Sequence, residues 1–374
     1  MVLWNGLWNT WGNILKPPDW SSIHERKGFS LMTPPLAIMA FLYGLGVRLR
    51  LASIKRRKKR DLPGFVVSIG NLTAGGTGKT PAAIMLAEWA LKEGHRAAIL
   101  SRGYRGSYRE KVLVVSDAGG KISAGPDKTG DEPWLMARRL KGVPVIISRD
   151  RYLAGLTARE RFGSDFFILD DGFQHIMLKR DLDLVLVDSI SPFGNGHLLP
   201  LGPLREPVSQ LKRADAVIFT RSGEISAVKE TEEFIKGKPR FMGDHIPEKI
   251  VFPLNGNSYA PEFLEGKRVM AFAGIARPEA FKDTLKRLGA DLAGFRVFRD
   301  HHFFGVHEIP DLKEEKERLG ADLLITTEKD WIRLEGLGFE DAYLAYLTIN
   351  FSLLSGEEDF FNLINERIKQ RYRV

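Results

Sequence analysis

A β-branched apolar run, Phe65–Ile69, leads directly into GNLTAGGTGKTP and then into a helical pattern over Pro81–Lys92. Strand, glycine-rich turn and helix in that order commit the surrounding chain to a parallel sheet. The turn can offer its backbone N–H groups to phosphate only at the C-terminal edge of a strand, with a helix N-terminus behind it. The core of the turn is GGTGKT. Gly75, Gly76, Thr77 and Gly78 let the backbone close around phosphate oxygens, Lys79 reaches the β- and γ-phosphates, and the Thr80 hydroxyl is placed for Mg²⁺. The strict pattern has glycine where this chain has Thr73. A chance glycine-rich turn ahead of a helix is the competing reading, and the flanking strand and helix disfavour it. ATP and Mg²⁺ are the cofactors this segment predicts.

Further short apolar runs, each ending in Gly, Ser, Thr or Asp, are expected as strands: Ala97–Leu100, Val143–Ile147, Phe166–Leu169, Leu184–Val187 and Ala216–Thr220. Helical patterns at Glu132–Leu140 and Ala154–Arg161 lie between them. The alternation predicts an α/β fold, a P-loop NTPase-type parallel sheet with helices on both faces, whose ligands sit at the C-terminal strand ends. A second alternation, Val269–Ala273, Glu279–Leu288 and Leu323–Thr326, predicts a second, smaller α/β lobe. The expected division is a membrane-associated segment over 1–60, a P-loop kinase domain over 61–222, a linker over 223–257, and the second lobe over 258–374, whose C-terminal helix can pack back on the first domain.

The strand ends carry the polar chemistry. FFILDDGFQH, Phe166–His175, is a buried strand closing in Asp170 and Asp171. An acid there holds Mg²⁺ directly or through water, and adjacent carboxylates point to opposite sides of a strand, so the two are expected to do different work. Asp188, ending LVLVD, is a weaker competitor, and a solvated turn is the bland alternative. GDEP, Gly130–Pro133, opens a helix, so Asp131 reads equally as a helix cap and as a catalytic acid. PLREP pairs Arg205 with Glu206 between prolines, for phosphate and metal or as a plain ion pair. SRGY can present Arg102 to an anion. His301 in RDHH reads as a surface residue when taken alone, and His302 and His307 lack the companions of a metal site.

The chain carries a net charge of +8, but residues 1–60 hold eleven Lys/Arg against two acids and account for +9, leaving the remainder at −1. The apolar part of Ser30–Val47, Leu36–Val47, spans about three helical turns after Pro34 and Pro35, short of the roughly 20 residues a spanning helix needs. Arg48, Arg50 and the KRRKKR run follow. Trp4, Trp8, Trp11 and Leu15 fall on one helical face opposite Asn5, Asn9 and Asn13. This combination predicts contact with an anionic membrane surface, with docking onto the protein's own core as the alternative. No recognisable nucleic-acid module accompanies the basic run, so no nucleic-acid partner is expected. The absence of cysteine excludes disulfides, thiol nucleophiles and cysteine-ligated zinc.

Taken in order, SIGNLTAGGTGKTP, ILSRGYRG, GDEPWLMARRL, VIISRDRY, FILDDGFQHIMLKRDLDLVLVD, LLPLGPLREP, AFAGIARP, FRDHHFF and TTEKD resemble the tetraacyldisaccharide 4′-kinase family of lipid A biosynthesis. The likeness runs from about residue 34 to about 335, with the Trp-rich stretch 1–29 outside it, and it permits a small residue at Thr73. It implies phosphorylation by ATP of the 4′-hydroxyl of an acylated glucosamine disaccharide 1-phosphate lipid. The place it implies is the cytoplasmic face of a Gram-negative inner membrane, peripherally attached. Carried over by motif, Lys79, Asp171, Asp131 and His301 are catalytic, with Asp131 the base on the sugar hydroxyl and His301 its support. Thr80, Asp170, Gln174 and Glu206 would organise the metal, and Tyr104, Arg151 and His175 would contact substrate. The alternatives are a P-loop ATPase or GTPase that drives a protein partner, and a membrane scaffold with a vestigial nucleotide site. Oligomeric state and acyl-chain preference carry no sequence signal.

Overall fold

The computed structural model describes residues 24, 33–76, 78–221, 226–338 and 342–372. Thr77 and the face formed by Trp4, Trp8, Trp11 and Leu15 lie outside the described residues. In chain order the strands are β1 (Phe65–Gly70), β2 (Ala97–Ser101), β3 (Leu113–Ser116), β4 (Val145–Ile147), β5 (Phe166–Asp170), β6 (Leu182–Asp188), β7 (Ala216–Thr220), β8 (Arg240–Val251), β9 (Ser258–Tyr259), β10 (Arg268–Ala273), β11 (Asp291–Val297), β12 (Leu323–Thr327) and β13 (Leu344–Ser355). They form one sheet in the order β11-β10-β12-β13-β8-β7-β6-β1-β5-β2-β4-β3, with β9 paired to β8. β1, β5 and β6 are buried along their whole length, because helices cover both faces of the parallel part. Ala82, Leu86 and Ala87 of the helix Lys79–Lys92 pack with Phe65, Ile99 and Phe166 on one face. Ala154 and Ala158 of the helix Arg151–Phe162 pack with Val66, Leu100 and Phe167 on the other.

The stretch expected as a linker, 223–257, instead contains the helix Ser226–Ile235 and the twelve-residue β8. β8 lacks the continuous apolar run of the buried strands: Phe241 and Ile250 are buried, whereas Arg240 and Ile246 are exposed. Pro247 is accommodated opposite Ile349, where the register shifts, as proline in a sheet requires. β8 is what joins the two halves. β7 pairs with it in parallel only as far as Gly243, opposite Thr220. β13 runs antiparallel to it and brings β12 alongside at Leu344–Leu347, level with Ile250 and Val251. The two parallel fields therefore attach to opposite ends of a two-stranded ribbon and run in opposite directions. Their C-terminal edges face each other across the ribbon's middle, some seven residues or about 23 Å of strand.

Two helices complete the frame. The helix Glu357–Tyr372 returns from the second half and buries Phe360 and Ile364 in the core of the first. Phe361 stacks on Trp89 at 4.9 Å, and Arg371 pairs with Asp61 at 2.8 Å. The helix Thr33–Lys55 is 23 residues long, well beyond the three turns expected. Pro34 and Pro35 sit in its first turn, where a missing N–H costs nothing, and the chain stays helical through Arg48 and Arg50. Leu36, Ala40, Gly44 and Val47 face the protein, with Gly44 so close that an added Cβ would lie 2.9 Å from Leu198 Cδ1. Tyr43 donates to the Arg205 carbonyl at 2.9 Å, and Arg50 to the Gln174 carbonyl at 2.8 Å. Ile38, Phe41, Leu42 and Leu49 point away from the body, each at least 60% exposed. Among the described residues this is the one helix long and apolar enough to cross a membrane.

Phe360→Ala removes a fully buried ring that links the C-terminal helix to the first half. It should cost about 3–5 kcal/mol of stability. Calorimetry of the variant checks this, and an unchanged Tm would mean that the helix is dispensable to the core.

Candidate active site

The phosphate loop connects β1 to the helix Lys79–Lys92, and Gly78, at φ 80, is its N-cap. That left-handed turn is why glycine stands there. Lys79 Nζ donates to Asn71 Oδ1 at 3.1 Å and lies 3.6 Å from Asp171. Asn71 in turn donates to the Thr73 hydroxyl at 3.2 Å. The departure from the strict motif thus has a use here, since glycine at 73 could not orient the amide that orients Lys79. Thr80 is buried at the start of the helix.

Asp170 and Asp171 are adjacent and differ sharply. Asp170 closes β5 fully buried, accepts a hydrogen bond from Ser101 Oγ at 2.9 Å, and has its Oδ1 without a protein partner. Burial, then the negative charges of Glu132 and Asp171, push its carboxyl up to about 6. Asp171 adopts a left-handed backbone, φ 48, which turns its side chain toward Lys79 and the 2.6 Å ion pair with Arg205. Burial opposes its ionisation, but Lys79 and Arg205 together hold it well below the ordinary carboxylate range. The two neighbouring carboxylates thus sit in opposite charge environments. Arg151 is buried rather than open to the cleft; it donates to the Ser148 carbonyl at 3.0 Å and sets its charge against both aspartates.

Glu206 is buried and paired with Arg213 at 2.6 Å, leaving Oε1 without a partner. Gln174 spends its amide N–H on the Asn71 carbonyl at 2.8 Å, bracing the start of the phosphate loop. His175 lines a cavity of about 380 Å³ with Arg50, Ser53, Ile54 and Arg57 of the N-terminal helical region. Burial and the nearby Arg151 bring its imidazole down to about 4. The competitor Asp188 is enclosed by Arg221 and by Arg277 of the second half, so its carboxylate ties the halves together.

Asp131 is the point where the halves meet. It opens the helix Asp131–Arg139, but Gly130 holds the N-cap position and no side chain caps the helix. Asp131 is therefore not the cap, although it stands in the first turn, where its charge complements the helix dipole. Its Oδ2 lies 3.0 Å from His301 Nδ1 and accepts from Arg333 Nε at 2.8 Å, both from the second half. Burial opposes its charge, and the His301 and Arg333 contacts outweigh that and hold its carboxyl below the usual range. Tyr104, 62% exposed, sets its ring edge-on to His301 at 6.3 Å. Its carbonyl lies 2.3 Å from where a Cβ on Gly130 would be, so Gly130 admits the Tyr104 loop. His301 itself is left-handed, φ 58, and its backbone N–H donates to the Gly274 carbonyl at 2.9 Å. Arg333 was not singled out by any motif. The sequence holds one signal for it, a cation three residues beyond Asp330 on a helix, and the two do pair at 3.0 Å. Glu132, beside Asp131, pairs with Lys329 at 2.6 Å. His302 pairs with Glu308 within its own half.

The family model for Tetraacyldisaccharide-1-P 4′-kinase matches residues 32–369. A tetraacyldisaccharide 4′-kinase of Syntrophus aciditrophicus (strain SB) is 40% identical over 364 residues, 94% of this chain and 97% of the relative. One from Pelobacter propionicus is 41% identical over 323 residues, 86% of this chain and 87% of the relative. Among solved structures, LpxK from Aquifex aeolicus in complex with ATP has a TM-score of 0.72 and 33% identity, covering 90% of this chain and all of that one.

The stabilisation carried by Asp131 is present above the ordinary carboxylate range and is lost as pH falls through its lowered value. Arg333→Met, which takes the buried cation from that carboxylate, should cost about 3–5 kcal/mol at neutral pH. It should also flatten the loss of Tm as pH falls below about 4, the ordinary carboxylate value, toward the lowered one. Melting curves across that range test both parts, and superimposable wild-type and variant curves would contradict them.

Proposed function

The chain belongs to the tetraacyldisaccharide-1-P 4′-kinase family, and from that premise we propose how its cleft transfers the γ-phosphate of ATP to the 4′-hydroxyl of a tetraacyl glucosamine disaccharide 1-phosphate in lipid A biosynthesis. The observation that carries the proposal is the carboxylate of Asp131, on the ATP-binding half, held by His301 and Arg333 of the other half. ATP lies with its phosphates in the loop Gly75–Thr80, and Lys79 meets the charge that spreads over the transferring phosphoryl group. Asp131 orients the sugar hydroxyl and takes its proton as the bond to the γ-phosphorus forms and the bond from that phosphorus to the β–γ bridging oxygen breaks, ADP leaving. A carboxylate held below its usual range is a weak base, so His301 at 3.0 Å is the group that shares or relays the proton. Tyr104, on the rim beside His301, is assigned to the substrate sugar. Arg151 is assigned to the aspartates rather than to substrate, because it is buried behind them.

The buried oxygens Asp170 Oδ1 and Glu206 Oε1, both without a protein partner, suit a hard cation. Among the described residues no three His, Asp or Glu side chains form a metal cage. Mg²⁺ needs no such cage, since it takes one or two carboxylates and completes its shell with phosphate and water. Thr80, Asp170 and Glu206 would hold it, with Gln174 bracing the loop beside them. When bound, the ion supplies neutralisation at the β- and γ-oxygens.

The helix Thr33–Lys55 is read as lying in the interface of the inner membrane's cytoplasmic face. One narrow side is committed to the protein, the outward side is apolar, and Arg56–Arg60 follow as the basic cluster for anionic lipid. This reading joins the two alternatives left open by the sequence, since the same helix docks on the core and faces lipid.

Transfer of labelled γ-phosphate to the acylated disaccharide 1-phosphate tests the cleft. Asp131→Asn and His301→Ala should each lower kcat by about 10²–10⁴ while nucleotide still binds. The double variant should lose far less than the product of the two; fully multiplicative losses would separate the residues. A Phe41→Asp/Leu42→Asp variant should leave anionic vesicles in a flotation assay while staying folded, and high salt should weaken wild-type binding. Undiminished flotation of the variant would move the lipid contact to another surface.

A further inference from the structure

His245 takes no part in the mechanism above, yet it touches the phosphate loop. It stands on β8 two residues beyond Gly243, where pairing with β7 ends, and directly opposite Phe351 of β13. Its ring meets Phe351 edge-on at 5.7 Å and is largely withdrawn from solvent. The other end of the ring is turned onto Gly78. A Cβ added there would fall 1.8 Å from His245 Nε2 and 2.1 Å from Cε1, so the nitrogen-bearing edge of the imidazole lies against the Gly78 backbone. Gly78 is thus pinned from two sides. The Ala82 N–H donates to its carbonyl at 3.2 Å as the first turn of the following helix, and the imidazole covers its Cα.

The orientation of that peptide matters. Residues 75–80 bind phosphate through backbone N–H groups, and Gly78, at φ 80, is the hinge at which the turn becomes helix. Rotating its peptide would aim the N–H groups on either side away from the anion. Without a neighbour, a glycine in this position is free to rotate. We propose that His245 is a positioning residue for the nucleotide: it fixes the Gly78 peptide in the phosphate-binding turn and so sets ATP affinity without touching a reacting atom. The residue is carried by the ribbon that joins the halves, so the loop is braced by the element to which the second half is attached. The inference rests on the kinase reading and adds to it a residue 165 positions from the loop's own motif, outside every phosphate-binding pattern in the sequence.

The test uses the full chain and three variants. His245→Phe keeps a ring against Phe351 and removes the nitrogen at Gly78; His245→Ala removes both. His245→Gln restores an amide that can reach the same backbone. Binding of a non-hydrolysable ATP analogue is measured without lipid acceptor, then KM and kcat with it. Loss of the polar ring edge that braces Gly78 predicts about tenfold weaker analogue binding and about tenfold higher KM for ATP in the Phe and Ala variants. KM for the lipid and kcat at saturating ATP should stay within about threefold of wild type, and Gln should recover most of the affinity. Unchanged analogue binding by folded His245→Phe would overturn the proposal, as would equal losses in Phe and Gln, or a fall in kcat alone. Failure of the wild-type protein to bind the analogue would instead strike the kinase reading itself.

Discussion

The antiparallel ladder between β8 and β13 is the constraint on which the molecule depends. A parallel sheet binds ligands at its C-terminal edge, and two such sheets placed side by side in the same sense would present two separate edges. Here the second field is reversed by the ladder and displaced along it, so the loops after β1, β5 and β6 look across a cleft at those after β10, β11 and β12. The hydrogen bonds of the ribbon are backbone bonds and specify no chemistry. Their register decides that Asp131 can meet a histidine 170 residues away.

Charge holds the cleft in this arrangement. Besides the Asp131 cluster, Lys329 reaches Glu132, Arg138 reaches Glu335, and Arg139 reaches Glu328 across the same boundary. On the far side Arg277 reaches Asp188. These pairs run from half-exposed, as in Arg138–Glu335, to largely buried, as in Arg139–Glu328, and Asp188 is buried beneath Arg277. A buried pair cannot lose one partner without leaving an uncompensated charge, so each fixes the position of the half opposite. The apolar contact in this region is small, with Trp134 and Leu135 against Ile332. The first half's cohesion comes instead from the returning C-terminal helix and the buried strands.

What the sequence made legible follows from burial. β1, β5 and β6 are covered on both faces and so appear as predominantly apolar runs, and the phosphate loop is legible because its glycines answer a local backbone demand. β8 was invisible for the opposite reason. It is a ribbon strand with one side toward solvent and cleft, and its composition of charges and Pro247 resembles a connection. Asp131 and His301 could be paired only through the family resemblance, since no local pattern encodes a contact between loops on opposed sheets. Arg333 escaped because its partner Asp131 lies 202 residues away and its local partner Asp330 looks like an ordinary helix-face pair. The N-terminal helix was judged by its apolar core, and arginines on a helix that lies on a surface do not end it.

The backbone gives independent support for where the chemistry sits. Among the described residues, four that are not glycine adopt positive φ: Arg105, Asp171, Arg221 and His301. Such conformations are unfavourable for side chains with a Cβ, and they persist where the surroundings over-determine them. Asp171 is held by Lys79 and Arg205, Arg221 by Asp188, and His301 by Gly274 and Asp131. In each case the partner is a cleft residue, and relaxing the backbone would swing the side chain away from it. Arg105 places its guanidinium over the Tyr104 ring at 5.7 Å, in the loop that carries Tyr104 over Gly130. The strained backbones of Asp171 and His301 are thus both held by charges of the first half, Lys79 and Arg205 for one and Asp131 for the other, so the first half dictates the conformation in which the second half presents its imidazole.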